Sequence, residues 1–335
     1  MTIAMQAPYR VRRLAGNPII PPRMDDRMGS NVQGPSLIRV PEWVPAPLGR
    51  YYLYFADHKG DYLRLAYADS LEGPWRMHRA GALQLAESKF PVTPPAQPPD
   101  AAALLKEGHL PGRAPPGMEA QIPDPFLDAT IPHIASPDAH VDHARRRVVL
   151  YYHGLEDFRT QRTRVAVSAD GLHFEAREEL LGPSYFRVFH HDGATYALAM
   201  PGILLRSADG MSGFARGPVL FEPLQRHTAL QKRGNTLHVF WTRVGDAPEC
   251  IYRSTIALAG DWQDWTAGPP VEVLRAETAW EGAALPAQPS YRGAICVPVN
   301  QLRDPAVFEE DGRLYLLYAV QGEAGIAIAE LQDLG

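Results

Sequence analysis

Five short stretches of this chain bring titratable or hydrogen-bonding side chains to the beginning of an apolar strand pattern: Gln33-Gly34, Ser136-Pro137-Asp138, Tyr185-Phe186-Arg187, Arg226-His227 and Arg303-Asp304. Carboxylates and imidazoles held near one another can pass protons between oxygen atoms, and arginines beside them can orient a carboxylate or hold an anion. Histidines are frequent nearby: His58, His133, His140, His153 and His227 fall on or beside the same strands and loops. Imidazole titrates near neutrality and suits proton transfer, yet it serves equally as a metal ligand, a donor to hydroxyl groups or a satisfied core residue, and these readings stay open. Asn31 and Gln33 offer amides at the first stretch. Asp57-His58-Lys59-Gly60 follows a strand and reads either as a clamp on a bound molecule or as a plain turn.

What must position these groups is a repeat. Five segments, residues 34–78, 136–177, 185–217, 227–267 and 303–331, share one order: a short strand, a turn, a strand of alternating aromatic or aliphatic residues, and a further strand ending in small or polar residues. The first four then add a fourth element rich in Gly with Trp or Phe. Alternation such as Tyr52 and Tyr54 against Leu53 and Phe55 marks strands with two distinct faces, and His190-His191-Asp192-Gly193 and Glu309-Glu310-Asp311-Gly312 mark hairpins. Four-stranded antiparallel units of about forty residues, repeated, predict an all-β chain folded as one five-bladed β-propeller. A β-sandwich would fit the strand count but gives no reason for a fivefold repeat. The fifth unit ends before a fourth strand, so residues 10–20 are expected to supply it and close the ring. The inner strand of each blade lines the central channel, and the five stretches named above then converge on one mouth.

Two segments depart from the repeat. Residues 86–130 separate the first two blades, and ten of the thirty-five residues between Pro91 and Pro125 are proline, too many for a sheet and suited to a surface loop, whether covering a binding face or disordered. Residues 267–301 delay the fifth blade. The repeated Ser-Ala-Asp-Gly at 168–171 and 207–210 reads as turn geometry with no chemistry.

A formal charge of −5 and a pI near 6.2 lack the basic field that displaces counterions from nucleic acid. No apolar run is long enough for a membrane span, and the first twenty residues carry no apolar leader with a small-residue cleavage site, so a cytoplasmic location is expected. Two cysteines exclude a disulfide framework. Nothing in the residues speaks to oligomeric state or assigns a metal site.

Arg303-Asp304-Pro305, with its following acidic turn and the strand Arg313-Leu314-Tyr315-Leu316-Leu317-Tyr318, resembles the Arg-Asp-Pro motif of the five-bladed furanosidase-type hydrolases around glycoside hydrolase family 43. The blade beginning Ser136-Pro137-Asp138 resembles the companion Asp-bearing blade, and residues 280–283 resemble the Glu-Gly motif that carries the acid. The resemblance implies a small carbohydrate substrate, no required cofactor, and a channel that can hold a cation such as calcium. It implies Glu281 as general acid, Asp304 and Asp138 as base and modulator, and Arg303 as a group orienting a carboxylate or sugar hydroxyls. An inverting pair needs a neutral acid and an ionised base on opposite faces of the sugar. This chain departs from the pattern: its first blade offers Asn31, Gln33, Gly34 and Ser36, none a base, and Arg-Asp-Pro comes last. Similarity to family 117 would make His140 or His227 the acid instead. Similarity to family 130 would make the protein a phosphorylase, with Arg187, Arg226, His227 and Arg303 holding phosphate. A non-catalytic sugar-binding propeller is the third reading, and in all three Asn31, Gln33, Asp57, His58, His153 and Trp280 are candidates to contact sugar.

Overall fold

The computed structural model describes residues 9–102 and 129–334, so most of the Pro-rich segment lies outside the described residues. Five antiparallel sheets form the blades of a propeller. The first runs outward through Gln33–Arg39, Tyr51–Ala56, Tyr62–Ala68 and Arg76–Gln84. The second has Ile134–Asp142, Arg147–Asp157 and Thr160–Ser168, edged by two short pieces at Glu175–Ala176 and Gly182–Pro183. Arg187–His191, Ala194–Ala199, Ile203–Ser207 and Ala215–Val219 make the third, and Gln225–Arg233, Thr236–Arg243, Ile251–Ala257 and Val271–Leu274 the fourth. In the fifth, Arg303–Glu310, Arg313–Ala319 and Ile326–Asp333 are joined by Tyr9–Arg13, in register Arg12 to Glu330. The expected closure by the N-terminal segment is thus present, and it ties the two ends of the chain into one sheet.

One outer strand differs from expectation. The stretch Asp261–Trp265 is a 3-10 turn whose Asp261 side chain accepts from the Gln263 amide, and the fourth blade's outer strand comes later, at Val271–Leu274. Trp262 and Trp265 pack inward against Tyr196 of the third blade, so their apolar character reflects contact between blades and not strand alternation.

The two faces of each blade enter two separate cores. Tyr51, Leu53 and Phe55 pack toward the fifth blade with Leu317 and Ile328, whereas Tyr52 and Tyr54 pack toward the second with Ile134 and Leu150. The same division repeats around the ring: Val149 with Val188, Leu198 with Val239, and Phe240 with Leu316. Each fully buried Leu, Val or aromatic contributes about 1.5–3 kcal/mol of apolar burial, and period-two alternation supplies both cores at once. The Ser-Ala-Asp-Gly turns lock neighbours together: Tyr54 donates to the Gly171 carbonyl and Tyr151 to that of Gly210, each at 2.8 Å.

The inner strands share a further feature that positions the site. Gly34, Ser136, Tyr185, His227 and Asp304, one per blade, all have positive φ, between 48° and 65°. In four blades this residue lies within a register break of the inner strand, between Gln33 and Ser36, Ala135 and Asp138, Arg226 and Ala229, and Arg303 and Ala306. A left-handed residue in a bulge re-aims its side chain away from the sheet, at a cost of about 1–3 kcal/mol for a non-glycine. Four of the five are not glycine, so the fold bears that cost repeatedly at one level of the channel. At Gly34 a Cβ would stand 3.2 Å from the Ser136 Cα, which explains the glycine there.

Candidate active site

The ring of left-handed residues forms the mouth, and its centre is Asp304. Tyr185 donates its hydroxyl to Asp304 Oδ1 at 2.7 Å, a bond from the third blade to the fifth that crosses the channel. His227 Nε2 stands 3.7 Å from the same oxygen, with its Nδ1 3.0 Å from Thr242 Oγ1. The Tyr185 ring lies 5.6 Å from that of His227 and 6.3 Å from that of His153, whose ring in turn lies 6.3 Å from His133. Asp304 is 1% exposed, and its Oδ2 has no hydrogen-bond partner among the described residues. Burial, followed by the nearby Glu323 charge, pushes its carboxyl up to about 6, against the opposing pull of Tyr185, Arg303 and Arg226. Burial holds His153 down at about 3 and keeps His227 well below the usual imidazole range, so both rings are neutral.

Around this carboxyl runs a buried ladder of alternating charge. Arg226 pairs with Glu249 through both Nε and Nη2, and Arg303 meets Gln301 Oε1 at 2.6 and 3.0 Å, Glu323 Oε1 at 2.9 Å and Glu249 Oε2 at 3.5 Å. Asn31 Nδ2 donates to Glu323 Oε2 at 2.6 Å, and His58 Nδ1 lies 3.3 Å from Glu323 Oε1. Burial opposes the charge on Glu323, but His58, Arg303 and Asn31 together bring it down to about 2. Glu249 is likewise held below its ordinary value by Arg226 and Arg303 despite burial. The ladder fixes charge where it is compensated and leaves Asp304 as the carboxylate that is not.

Of the residues expected at the mouth, Asp304, His227, Arg226, Arg303, Asn31 and His58 meet there, with His153 and Gln33 beside them. Gln33 is buried next to Gly34 at the first blade's bulge. Asp57 holds the clamp loop, accepting from the Lys59 amide at 2.9 Å and from Arg64 at 3.3 Å. Arg187 stacks over the Tyr185 ring at 4.4 Å with its Nη2 unpartnered.

Four of the expected residues lie apart from Asp304. Glu281 is not at the mouth. It is fully buried where the N-terminal strand meets the fifth blade, taking Arg13 Nε at 2.7 Å, the Tyr318 hydroxyl at 2.8 Å, the amides of Glu277 and Thr278, and Thr278 Oγ1. Both of its carboxylate oxygens are thus taken up by neighbouring donors. Asp138 and His140 lie further down the inner strand, paired at 2.8 Å in a polar hollow with Arg187, Gln231 and Glu309, and Asp138 also accepts the Val188 amide. Two residues past the ring is about 7 Å along a strand, and the carboxylate, held below its ordinary value against burial by His140 and Arg187, is stabilised in ionised form. Trp280 lies in a cleft beside the mouth and not over it. Tyr185 was expected at the mouth by its place in the repeat but given no chemical role, and Glu249 and Glu323 are the mouth residues absent from the expected set. Tyr185 had its signal, since it holds the equivalent place to Asp304, but Glu249 and Glu323 come from loops with no periodic pattern.

Among the described residues no group of three or more His, Cys, Asp and Glu side chains is placed to hold a metal ion.

No protein-family model matches the chain. Solved structures similar to it have the same fold: an inferred glycoside hydrolase from Parabacteroides distasonis (TM-score 0.56, 12% identity, 98% of this chain and 97% of that one), an N-acetylgalactosamine deacetylase from F. plautii in complex with a blood group B trisaccharide (0.54, 12%, 96% and 95%) and an α-L-arabinofuranosidase from Lactobacillus brevis (0.52, 10%, 94% and 92%). At higher identity, 34% over 331 aligned positions that take in 90% of this chain and 83% of its relative, stands an uncharacterized protein of Acanthamoeba polyphaga mimivirus, and the chain belongs to that protein's family.

Proposed function

We propose that this protein is a glycosidase that hydrolyses a small oligosaccharide or glycoside at the channel mouth, with Asp304 as the general base. The observation that carries the reading is the unpartnered Oδ2 of a buried carboxyl whose pKa is raised to about 6. Such a group is mostly ionised at neutral pH and accepts a proton readily, whereas a structural carboxylate is held ionised by its partners. Tyr185 fixes Oδ1 and leaves Oδ2 to a water. Water attacks the anomeric carbon, its proton passes to Oδ2, and the bond to the leaving oxygen breaks as that oxygen takes a proton from His58, whose Nδ1 stands 3.3 Å from Glu323 Oε1. Attack opposite the leaving group inverts the anomeric centre. The fold shared with an arabinofuranosidase and with a deacetylase that binds a trisaccharide supports a saccharide as substrate.

Phosphorolysis is disfavoured because Arg226 and Arg303 are already matched by Glu249 and Glu323 and offer little net charge to a phosphate. The test is product release from a panel of aryl glycosides and small oligosaccharides, with and without inorganic phosphate. Release that ignores phosphate and vanishes in Asp304→Asn is expected. Strict phosphate dependence would make the protein a phosphorylase, acetate release from an N-acetylated trisaccharide would make it a deacetylase, and sugar binding with no product would make it a binding module.

A further inference from the structure

Beside the mouth lies a second concavity of about 470 Å³, walled by Pro18, Pro22, Trp280, Ile295 and Val297. Its walls are apolar and in part exposed: Trp280, Pro18, Pro22 and Val297 are each only partly buried, although Trp280 also touches the core between the fourth and fifth blades. Proline side chains and an indole face present hydrocarbon without donors, so these walls reward an apolar ring, while Arg23, Ser30 and Gln321 supply polar groups at other points of the lining.

The polar end of the cleft is the wall it shares with the mouth. Asn31 and Glu323 line the cleft, and Asn31 Nδ2 reaches both Glu323 Oε2 at 2.6 Å and the Ile295 carbonyl at 3.3 Å. From the mouth side Glu323 Oε1 takes Arg303, and the His58 amide donates to Asn31 Oδ1 at 2.9 Å. One braced pair therefore separates the ring around Asp304 from the apolar cleft, and a molecule whose sugar occupies the mouth would extend past His58 into it. The volume leaves ample room for an aromatic ring or an alkyl chain.

We propose that this cleft binds the apolar aglycone of the substrate, so that the protein acts on aryl or alkyl glycosides in preference to sugars linked to sugars. The proposal rests on the glycosidase reading of the mouth, and its test separates the two. Equilibrium dialysis of 4-nitrophenol alone, with no turnover required, is measured on wild type, Trp280→Ala and Val297→Asp, the last in a loop where Val297 packs only on the small cluster of Tyr291, Ile295 and Val299, with urea unfolding of each variant confirming that it is folded. Binding to wild type, about tenfold weaker in both variants, is expected, a loss within reach of one aromatic contact or one charge placed in an apolar wall. For whichever sugar the panel shows to be cleaved, the ratio of kcat/KM for the phenyl to the methyl glycoside falls about tenfold in both variants, through KM. Binding of 4-nitrophenol that neither variant weakens, an unchanged ratio, or a dimer of wild type that Val297→Asp dissociates would overturn the proposal. If no glycoside is cleaved but 4-nitrophenol binds and depends on Trp280, the cleft stands as an apolar-ring site and the glycosidase reading falls.

Discussion

Asp304 and Glu281 are both carboxylates withdrawn from water, at 1% and 0% exposure, and each belongs to the fifth blade or its approach. Glu281 receives five donors, including an arginine and a tyrosine, whereas Asp304 receives one tyrosine on one oxygen and, among the described residues, nothing on the other. Burial alone does not distinguish a catalytic carboxylate from a structural one. Unmet hydrogen-bonding capacity does, because an unsatisfied buried group is costly and persists only where something else is gained.

The contrast breaks most sharply under neutralisation. Asp304→Asn is expected to lower turnover by about a thousandfold, in the range that general-base catalysis supplies. The same change raises stability at neutral pH. Because the folded pKa of Asp304, about 6, lies above the unfolded value near 3.8, burial of this group favours folding at low pH and that advantage is lost as pH rises through 6. Removing the charge restores about 2–3 kcal/mol above pH 6, read as a higher midpoint in urea that converges with wild type below pH 4. Glu281→Gln should do the reverse, losing about 3 kcal/mol of stability by stranding Arg13 while leaving kcat intact. A folded Glu281→Gln protein without activity would erase the distinction.

A smaller effect sharpens the comparison at the mouth. Tyr185→Phe removes the hydroxyl that holds Asp304 down, so its carboxyl rises further. Wild-type kcat/KM is expected to fall tenfold per pH unit below about 6. In the variant that limb moves to higher pH, with about a tenfold loss at pH 7. A pH profile that shifts the other way, or not at all, would remove Tyr185 from the site. Smallest of all, Tyr54→Phe loses one bond to Gly171 and about 1 kcal/mol of stability, with turnover unchanged.

The propeller was legible because period-two alternation repeats five times, with Asp-Gly turns in three of the blades, and because each face has its own core to enter, as Tyr52 and Leu53 do. The outer strand of the fourth blade was not, since Trp262 and Trp265 imitate the tryptophan of the repeat while packing across to Tyr196. At the mouth, equivalent positions in successive blades led to Asp304, His227 and Tyr185. The buried counter-charges Glu249 and Glu323 were invisible because single loop residues carry no periodicity. Glu281 carries a local signal that competes with the acid reading: Thr278-Ala-Trp-Glu281 has capping-box spacing, and the structure forms that box. A carboxylate with a local structural use written beside it is a poor candidate for proton transfer.

The most direct test of the central claim is turnover and urea unfolding measured together on Asp304→Asn and Glu281→Gln at pH 7.5, with the glycoside that wild type cleaves best. The account predicts an inactive Asp304→Asn that is more stable than wild type and an active Glu281→Gln that is less stable. An Asp304→Asn protein that keeps wild-type turnover would contradict it.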